Sequence, residues 1–194
     1  MFLLFKHTTG RFKEKVLTEQ VQQWRLLQNG EQTALAYFFR AYYEEMYHYG
    51  RALLRDDTYA EDQVQQFFLK LWEKHSTLPT PSNIKAYLFR SLRFALIDEL
   101  RRRKRSRIVL LAGDDRFFEW QEAHSPISGD TPQVRAVLKS LSATQQEIIF
   151  LRFYNQLPYP EIAAIMGMQY QSVRNAAHRA IKKMRTLLKK DHLA

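Results

Sequence analysis

The chain has no cysteine among its 194 residues, which excludes disulfide scaffolds, thiolate zinc sites and cysteine nucleophiles and fits a reducing compartment. Its six histidines are scattered, so metal chemistry has no visible home. No segment approaches the roughly 20 uncharged apolar residues that cross a bilayer. The apolar opening from Met1 to Phe5 is shorter than a signal-peptide core and runs into Lys6, His7 and Arg11 rather than a cleavage site. A soluble, cytoplasmic protein without direct membrane insertion is expected. There is also no nucleotide-hydrolysis loop, and no alternating pattern reads as a strand.

What the chain does have is positive charge and helical periodicity. The formal net charge is +10 and the sequence pI about 9.8, so the folded protein attracts polyanions such as nucleic acid. Apolar residues recur at helical spacing from Leu17 to Arg105 and from Pro132 to Lys190, with prolines and glycines mainly between the periodic stretches. Between them, residues 107–131 carry Gly113, Pro126 and Gly129. Five acids (Asp114, Asp115, Glu119, Glu122, Asp130) stand there against two bases (Arg107, Arg116), a net −3. This reads as an acidic linker between two basic helical domains. It spans at most about 85–90 Å extended and about 25–30 Å as a coil. The expected fold is therefore all-α. It has an N-terminal extension over 1–16 with no assigned function, a helical bundle over 17–106, the linker over 107–131 and a second helical domain over 132–194.

In the first domain a short helix is expected over Thr18 to Gln28, ended near Asn29 and Gly30, then a long one over Gln32 to Leu54. The second carries Tyr37, Phe38, Phe39, Tyr42, Tyr43, Tyr47 and Tyr49, a stripe whose helical spacing suits core packing better than base stacking. A third helix is expected from Thr58 to about His75, with Thr58 and Glu61 as a capping box. Its apolar face holds Ala60, Val64, Phe67, Leu71 and the flank of Trp72. A second face holds Asp62, Gln65, Gln66, Leu69 and Glu73, and a leucine exposed among polar groups calls for a partner. After Pro79 and Pro81 a fourth helix is expected from about Asn83 to Arg105. It ends in Arg101, Arg102, Arg103, Lys104 and Arg105, more cations than a helix end requires, so some should meet phosphate.

The second domain holds a helix-turn-helix: Pro160 to Met166, the turn Gly167-Met168-Gln169, and Tyr170 to about Leu188. Gly167 supplies the left-handed turn. On the second helix Tyr170, Val173, Ala177, Ala180, Ile181, Met184 and Leu188 share one face. Gln171, Arg174, Asn175, His178, Arg179 and Lys182 share the other. Arginine pairs in a bidentate way with guanine, and asparagine or glutamine with adenine, so this face has the groups that read a DNA groove. The small Ala176 and Ala177 suit close approach to a groove or to a neighbouring helix.

The stretch Asp57-Thr-Tyr-Ala60-Glu61-Asp62-Gln-Val64-Gln65-Gln-Phe67-Phe-Leu69-Lys-Leu71-Trp72 resembles the region 2 signature of extracytoplasmic-function (ECF) sigma factors. Tyr87-Leu88-Phe89 and Leu96-Ile97-Asp98-Glu-Leu100-Arg101-Arg102 resemble the promoter-melting helix. Leu151-Arg152-Phe153-Tyr154, Glu161-Ile162-Ala163 and Val173-Arg174-Asn175 resemble region 4, in a form especially like that of Bacteroidetes. Pro158 and Gln169 depart from the serine or threonine caps common in the family.

The resemblance implies a non-enzymatic subunit, without cofactors, that directs RNA polymerase to promoters and traps melted DNA. By position, Asp62, Gln65, Leu69 and Glu73 would dock on the core polymerase. Lys74, Asn83, Tyr87, Arg90, Arg93, Arg101 and Arg102, with Phe94 on the same helix, would serve the −10 element. Gln171, Ser172, Arg174, Asn175, His178, Arg179 and Lys182 would read the −35 element. The linker would thread the RNA channel, and a membrane-anchored anti-sigma factor would hold the protein inactive. A rival is an autonomous helix-turn-helix regulator binding operator DNA as a dimer, which leaves the Asp62 to Glu73 face unexplained. A nuclease using Asp114, Asp115, or Asp98 with Glu99 lacks metal-ligand spacing.

Overall fold

A computed structural model describes residues 18–106, 118 and 132–191, with side chains over 18–103, 118 and 132–188. The expected N-terminal extension lies outside the described residues, as do Asp114, Asp115 and the rest of the acidic linker apart from Phe118. So do the side chains of Lys104 and Arg105.

The described chain forms two helical domains, with no strand among the described residues. In the first, α1 covers 18–28, α2 Gln32–Leu54, α3 Asp57–Glu73 and α4 Ile84–Ser106, with a 3₁₀ turn at His75–Thr77. In the second, α5 covers Pro132–Lys139, α6 Ala143–Ile149, α7 Tyr159–Met166 and α8 Tyr170–Asp191. A π-helical turn at Phe150–Tyr154 continues α6.

Local chemistry sets most of the ends. After α1, Gly30 takes φ 85°, a left-handed value that costs glycine little. The cap of α3 differs from the expected Thr58–Glu61 box. Asp56 is the N-cap, its backbone extended and its carboxylate accepting the Tyr59 N–H at 3.0 Å. The helix therefore starts at Asp57, and Thr58 falls in its first turn. Aspartate competes successfully because it is among the best N-caps and its charge suits the helix N-terminus. For α4, Asn83 Oδ1 accepts the Ala86 N–H at 2.9 Å. The reciprocal capping box does occur at α6, where Ser142 and Gln145 bond each other's backbone amides.

Packing then fixes the bundle. Trp24, Leu27, Phe38, Met46, Tyr49, Leu88, Phe89, Leu92 and Leu96 are all fully buried where α1, α2 and α4 meet. Burying one such side chain contributes about 1.5–3 kcal/mol, against about 1 for a cap, so packing decides the path of α2. The aromatic stripe divides. Phe38, Tyr42 and Tyr49 are core, whereas Phe39 is 37 % exposed and stacks outward on Tyr43 at 4.6 Å.

The second domain closes as α8 lays Val173, Ala176, Ala177 and Ala180 against α5, α6 and α7. The small pair Ala176–Ala177 thus admits a neighbouring helix rather than a groove. The two domains touch, with α7 lying along α4, and their apolar interiors join into one cluster.

Burial pushes the Tyr49 phenol well above its ordinary range, helped by the negative charge of Glu147, and pushes Tyr42 up in the same way. Unfolded, both phenols ionise near pH 10, so the unfolded state sheds protons first. Stability is therefore intact below that pH and falls as pH climbs past it. In an alkaline titration followed at 295 nm, the last tyrosine absorbance should appear only together with loss of the helical circular-dichroism signal.

Candidate nucleic-acid and partner interfaces

The helix-turn-helix is built as its sequence dictates. Gly167 closes α7 with φ 64°, and its amide bonds the Ala163 carbonyl. A Cβ there would meet nothing within 4 Å, so the demand for glycine is conformational rather than spatial. At the other end of α7, Pro158 occupies the N-cap position without a side-chain cap, and its carbonyl accepts the Glu161 and Ile162 amides at 3.0 and 3.1 Å. Pro160, in the first turn, has no N–H to leave unsatisfied.

On α8, Gln171, Ser172, Arg174, Asn175, His178, Arg179 and Lys182 are all exposed and form one continuous polar face, opposite the buried Val173, Ala176, Ala177 and Ala180. Ser172, Asn175 and Arg179 border a shallow concavity whose other wall is Ser142, Thr144 and Gln145 at the start of α6. That wall belongs to the candidate site and was not singled out in the sequence, although the Ser-x-x-Gln capping pattern marks it. Lys183 turns away from this face and donates to the Ser140 carbonyl, tying α8 to the end of α5.

A second exposed face runs along α3. Asp62, Gln65, Leu69 and Glu73 lie at helical spacing and are all exposed, opposite the buried row Ala60, Val64, Phe67 and Leu71. Leu69 is 53 % exposed. The amide of Gln65 donates weakly to Glu61 at 3.4 Å, so the stripe's polar groups stay available to solvent.

A third group gathers around α4 and the loop before it. The loop is pinned by α1: Trp24 Nε1 donates to the Pro79 carbonyl at 2.8 Å and Gln28 Nε2 to the Leu78 carbonyl at 2.7 Å. Lys74 is exposed at the end of α3, and Asn83 is committed to capping α4. Tyr87 is half-buried, its ring edge-on to Trp24 at 5.5 Å. Arg90 is exposed, and Phe94 is 76 % exposed. Within the basic end of α4, Arg101 is exposed, whereas Arg102 and Arg103 both pair with Glu99. Internal pairing therefore already uses part of that charge.

Arg93 stands apart from this set. Its guanidinium reaches into the second domain and holds the buried carboxylate of Glu147, with Nε at 2.8 Å and Nη2 at 3.4 Å. Burial works against the charge on Arg93, but the hydrogen bond and the charge of Glu147 outweigh it and leave the guanidinium more basic than usual. The phenol of Tyr49 donates to the same carboxylate at 2.6 Å. Nothing in the sequence announced this cluster, because its members sit 54 and 98 residues from Glu147.

Among the described residues no helix is long and apolar enough to cross a membrane, and no group of acidic or histidine side chains is placed to hold a metal.

Comparison with known proteins matches two family patterns in order: sigma-70 region 2 over residues 38–106 and sigma-70 region 4 over 132–184. The RNA polymerase sigma factor SigV of Bacillus subtilis is 28 % identical over 151 residues, 78 % of this chain and 89 % of that protein. The ECF RNA polymerase sigma factor SigL of Mycobacterium tuberculosis is 28 % identical over 167 residues, 82 % and 94 % of the two chains. Among solved structures, the sigma factor RpoE in complex with the anti-sigma factor NepR from Bartonella quintana aligns with a TM-score of 0.59 and 27 % identity. It covers 78 % of this chain and 94 % of that one. CnrH in complex with the cytosolic domain of CnrY shares the fold at a TM-score of 0.61 and 19 % identity, over 89 % and 98 % of the chains.

Replacing Gly167 by alanine forces a side chain into the left-handed region, and about 1 kcal/mol of the second domain's stability should be lost. Urea denaturation of the Gly167→Ala protein measures this directly.

Proposed function

The chain belongs to the sigma-70 family, as an RNA polymerase sigma factor of the ECF group acting in transcription initiation, and from that premise we propose how its exposed faces divide the task. The observation that carries the reading is the presence, on one chain, of an exposed polar and cationic face on α8 and an exposed leucine stripe on α3. A regulator that bound operator DNA alone would need only the first.

The stripe Asp62, Gln65, Leu69 and Glu73 docks on core RNA polymerase. Leu69 supplies apolar area, and the flanking acids and amide supply orientation. The residues of α8 from Gln171 to Lys182 read the −35 element in the major groove, with Arg174 and Asn175 on base edges and Lys182 near phosphate. The −10 element meets the pinned loop and α4. Exposed Lys74, Arg90 and Arg101 attract its backbone, and Phe94, exposed to solvent, offers a stacking surface for an unpaired base. Flipping a base costs a few kcal/mol, which binding of the separated strand must offset. Asn83 and Tyr87 shape this surface from within, since capping and packing already occupy them.

The division of the chain into a polymerase-binding region over 17–106, a linker over 107–131 and a −35-reading region over 132–194 belongs to the same proposal. So do a region 4 of the Bacteroidetes kind, supported by the residues Leu151 to Tyr154, a cytoplasmic location and the absence of catalytic activity. The anti-sigma partner of the RpoE relative supports a similar inhibitor for this chain, and its anchoring in the membrane is what the family resemblance implies.

Run-off transcription with reconstituted core polymerase over a promoter library tests the whole reading, and failure to start RNA on any template would end it. Arg174→Ala or Asn175→Ala should cost about 1–3 kcal/mol on the preferred promoter and relax choice at one base position. An unchanged footprint would remove these residues from the contact set. Gln65→Ala with Leu69→Ala should weaken core binding while leaving helicity and −35 duplex binding intact. Equal loss of both would indicate unfolding instead.

A further inference from the structure

We infer that Glu99 is a specificity-determining residue. Held by Tyr59, its carboxylate is a built-in counter-ion that sorts the arginine run at the end of α4, leaving Arg101 to promoter DNA and keeping Arg102 and Arg103 from phosphate in general. The inference deepens the proposed reading and rests on it where the end of α4 is assigned to the −10 surface.

Helical geometry already separates the three arginines. At about 100° per residue, Arg101 returns to within about 20° of Phe94, and Arg90 lies within about 40° of it. Arg90, Phe94 and Arg101 therefore form one row, and all three are exposed. Arg102 is turned about 80° from Phe94 and Arg103 about 180°. Arg103 accordingly points back at α3, where its guanidinium carbon stands 3.1 Å from the centre of the Tyr59 ring.

Glu99 stands between these two. Its side chain is 12 % exposed and gathers three partners: Arg102 Nη2, Arg103 Nε at 3.5 Å, and the phenol of Tyr59, which donates to Oε1. Its neighbour Asp98 is exposed and takes no part in these pairs. An isolated ion pair on a helix surface is weak and yields readily to phosphate. Glu99 differs because the half-buried Tyr59, in the first turn of α3, anchors it from outside its own helix, and a hydrogen bond to a charged group is among the strong ones. An unsorted run of arginines would grip any phosphate backbone from several sides, and such contacts do not distinguish sequences. With Arg102 and Arg103 engaged, attraction concentrates on the row from Arg90 to Arg101, about 16 Å long, and steers the strand along Phe94.

The salt dependence of duplex affinity counts the phosphates engaged, at about 0.9 in the log–log slope for each. With the full-length chain and a short mixed-sequence DNA duplex, Glu99→Gln should steepen the slope by about 0.9 and raise affinity by up to about tenfold near 0.1 M salt. Arg102→Gln alone should leave the slope nearly unchanged, because that charge is already engaged, whereas Arg101→Gln should lower it by about 0.9. Glu99→Gln combined with Arg102→Gln should return the slope to that of the unmodified sequence. Tyr59→Phe, which keeps the ring beneath Arg103 and removes the donor, should move the slope in the same direction as Glu99→Gln.

In a second arm, with reconstituted core polymerase, Glu99→Gln should lower the ratio of RNA started at the preferred promoter to RNA started on mixed-sequence templates, by up to about tenfold. A slope unmoved by Glu99→Gln, equal effects of Arg101→Gln and Arg102→Gln, or an unchanged RNA ratio would overturn the inference. The comparison of Arg101→Gln with Arg102→Gln changes exposed positions alone, so it decides even if Glu99→Gln disturbs the fold. If the unmodified chain starts no RNA anywhere, the sigma-factor reading of the faces fails, and the salt slopes still decide whether Glu99 holds its arginines back.

Discussion

A carboxylate withdrawn from water must recover its lost hydration from fixed donors, and the two that reach Glu147, Tyr49 and Arg93, both stand on the other domain. Neither domain can bury this group alone. Taking one partner from a buried ion pair costs about 3–5 kcal/mol, comparable with the whole net stability of a small domain. The closed arrangement thus follows from one acid at an inward position of α6. The seating of α7 along α4 and of Phe118 between two aromatic rings is consistent with the same approach of the domains.

The exposed faces have a different logic. On α3 and α8 the same helical period that builds the core leaves the opposite row free, and its chemistry differs in kind between the two. The α3 row mixes acids, an amide and a leucine, a composition suited to a protein surface, while the α8 row mixes amides, a hydroxyl and cations, which suits a polyanion. Two surfaces of different chemistry stand on one chain because two helices each present one unused side.

Helices with a strong local pattern were readable from the residues. The end of α1, the limits of α2 and the turn at Gly167 follow from periodicity and stop signals that lie within a few positions of one another. The start of α3 differs from the one its threonine suggests because two capping chemistries compete there, and the stronger aspartate sits two residues upstream of the threonine. The aromatic stripe was half legible, since spacing places Phe38, Tyr42 and Tyr49 on one side without saying how far the burial extends to Phe39 and Tyr43. Arg93 looked like any cation on a basic helix. Its actual partner is fixed by the docking of the domains, which no window of neighbouring residues encodes.

The π-helical turn at Phe150–Tyr154 closes through the Asn155 amide on the Phe150 carbonyl at 3.2 Å, one residue more than a regular α-turn holds. Each added residue advances the chain by about 100° around the helix axis. The surplus residue therefore sets the phase of the side chains around it, with Phe150 inward, Phe153 outward and Asn155 turned toward Glu45. Shortening this stretch by one position would restore ideal helical bonding and still misdirect every side chain beyond it. Its length is consequently held more tightly than its spelling: substitutions can accumulate here where deletions cannot.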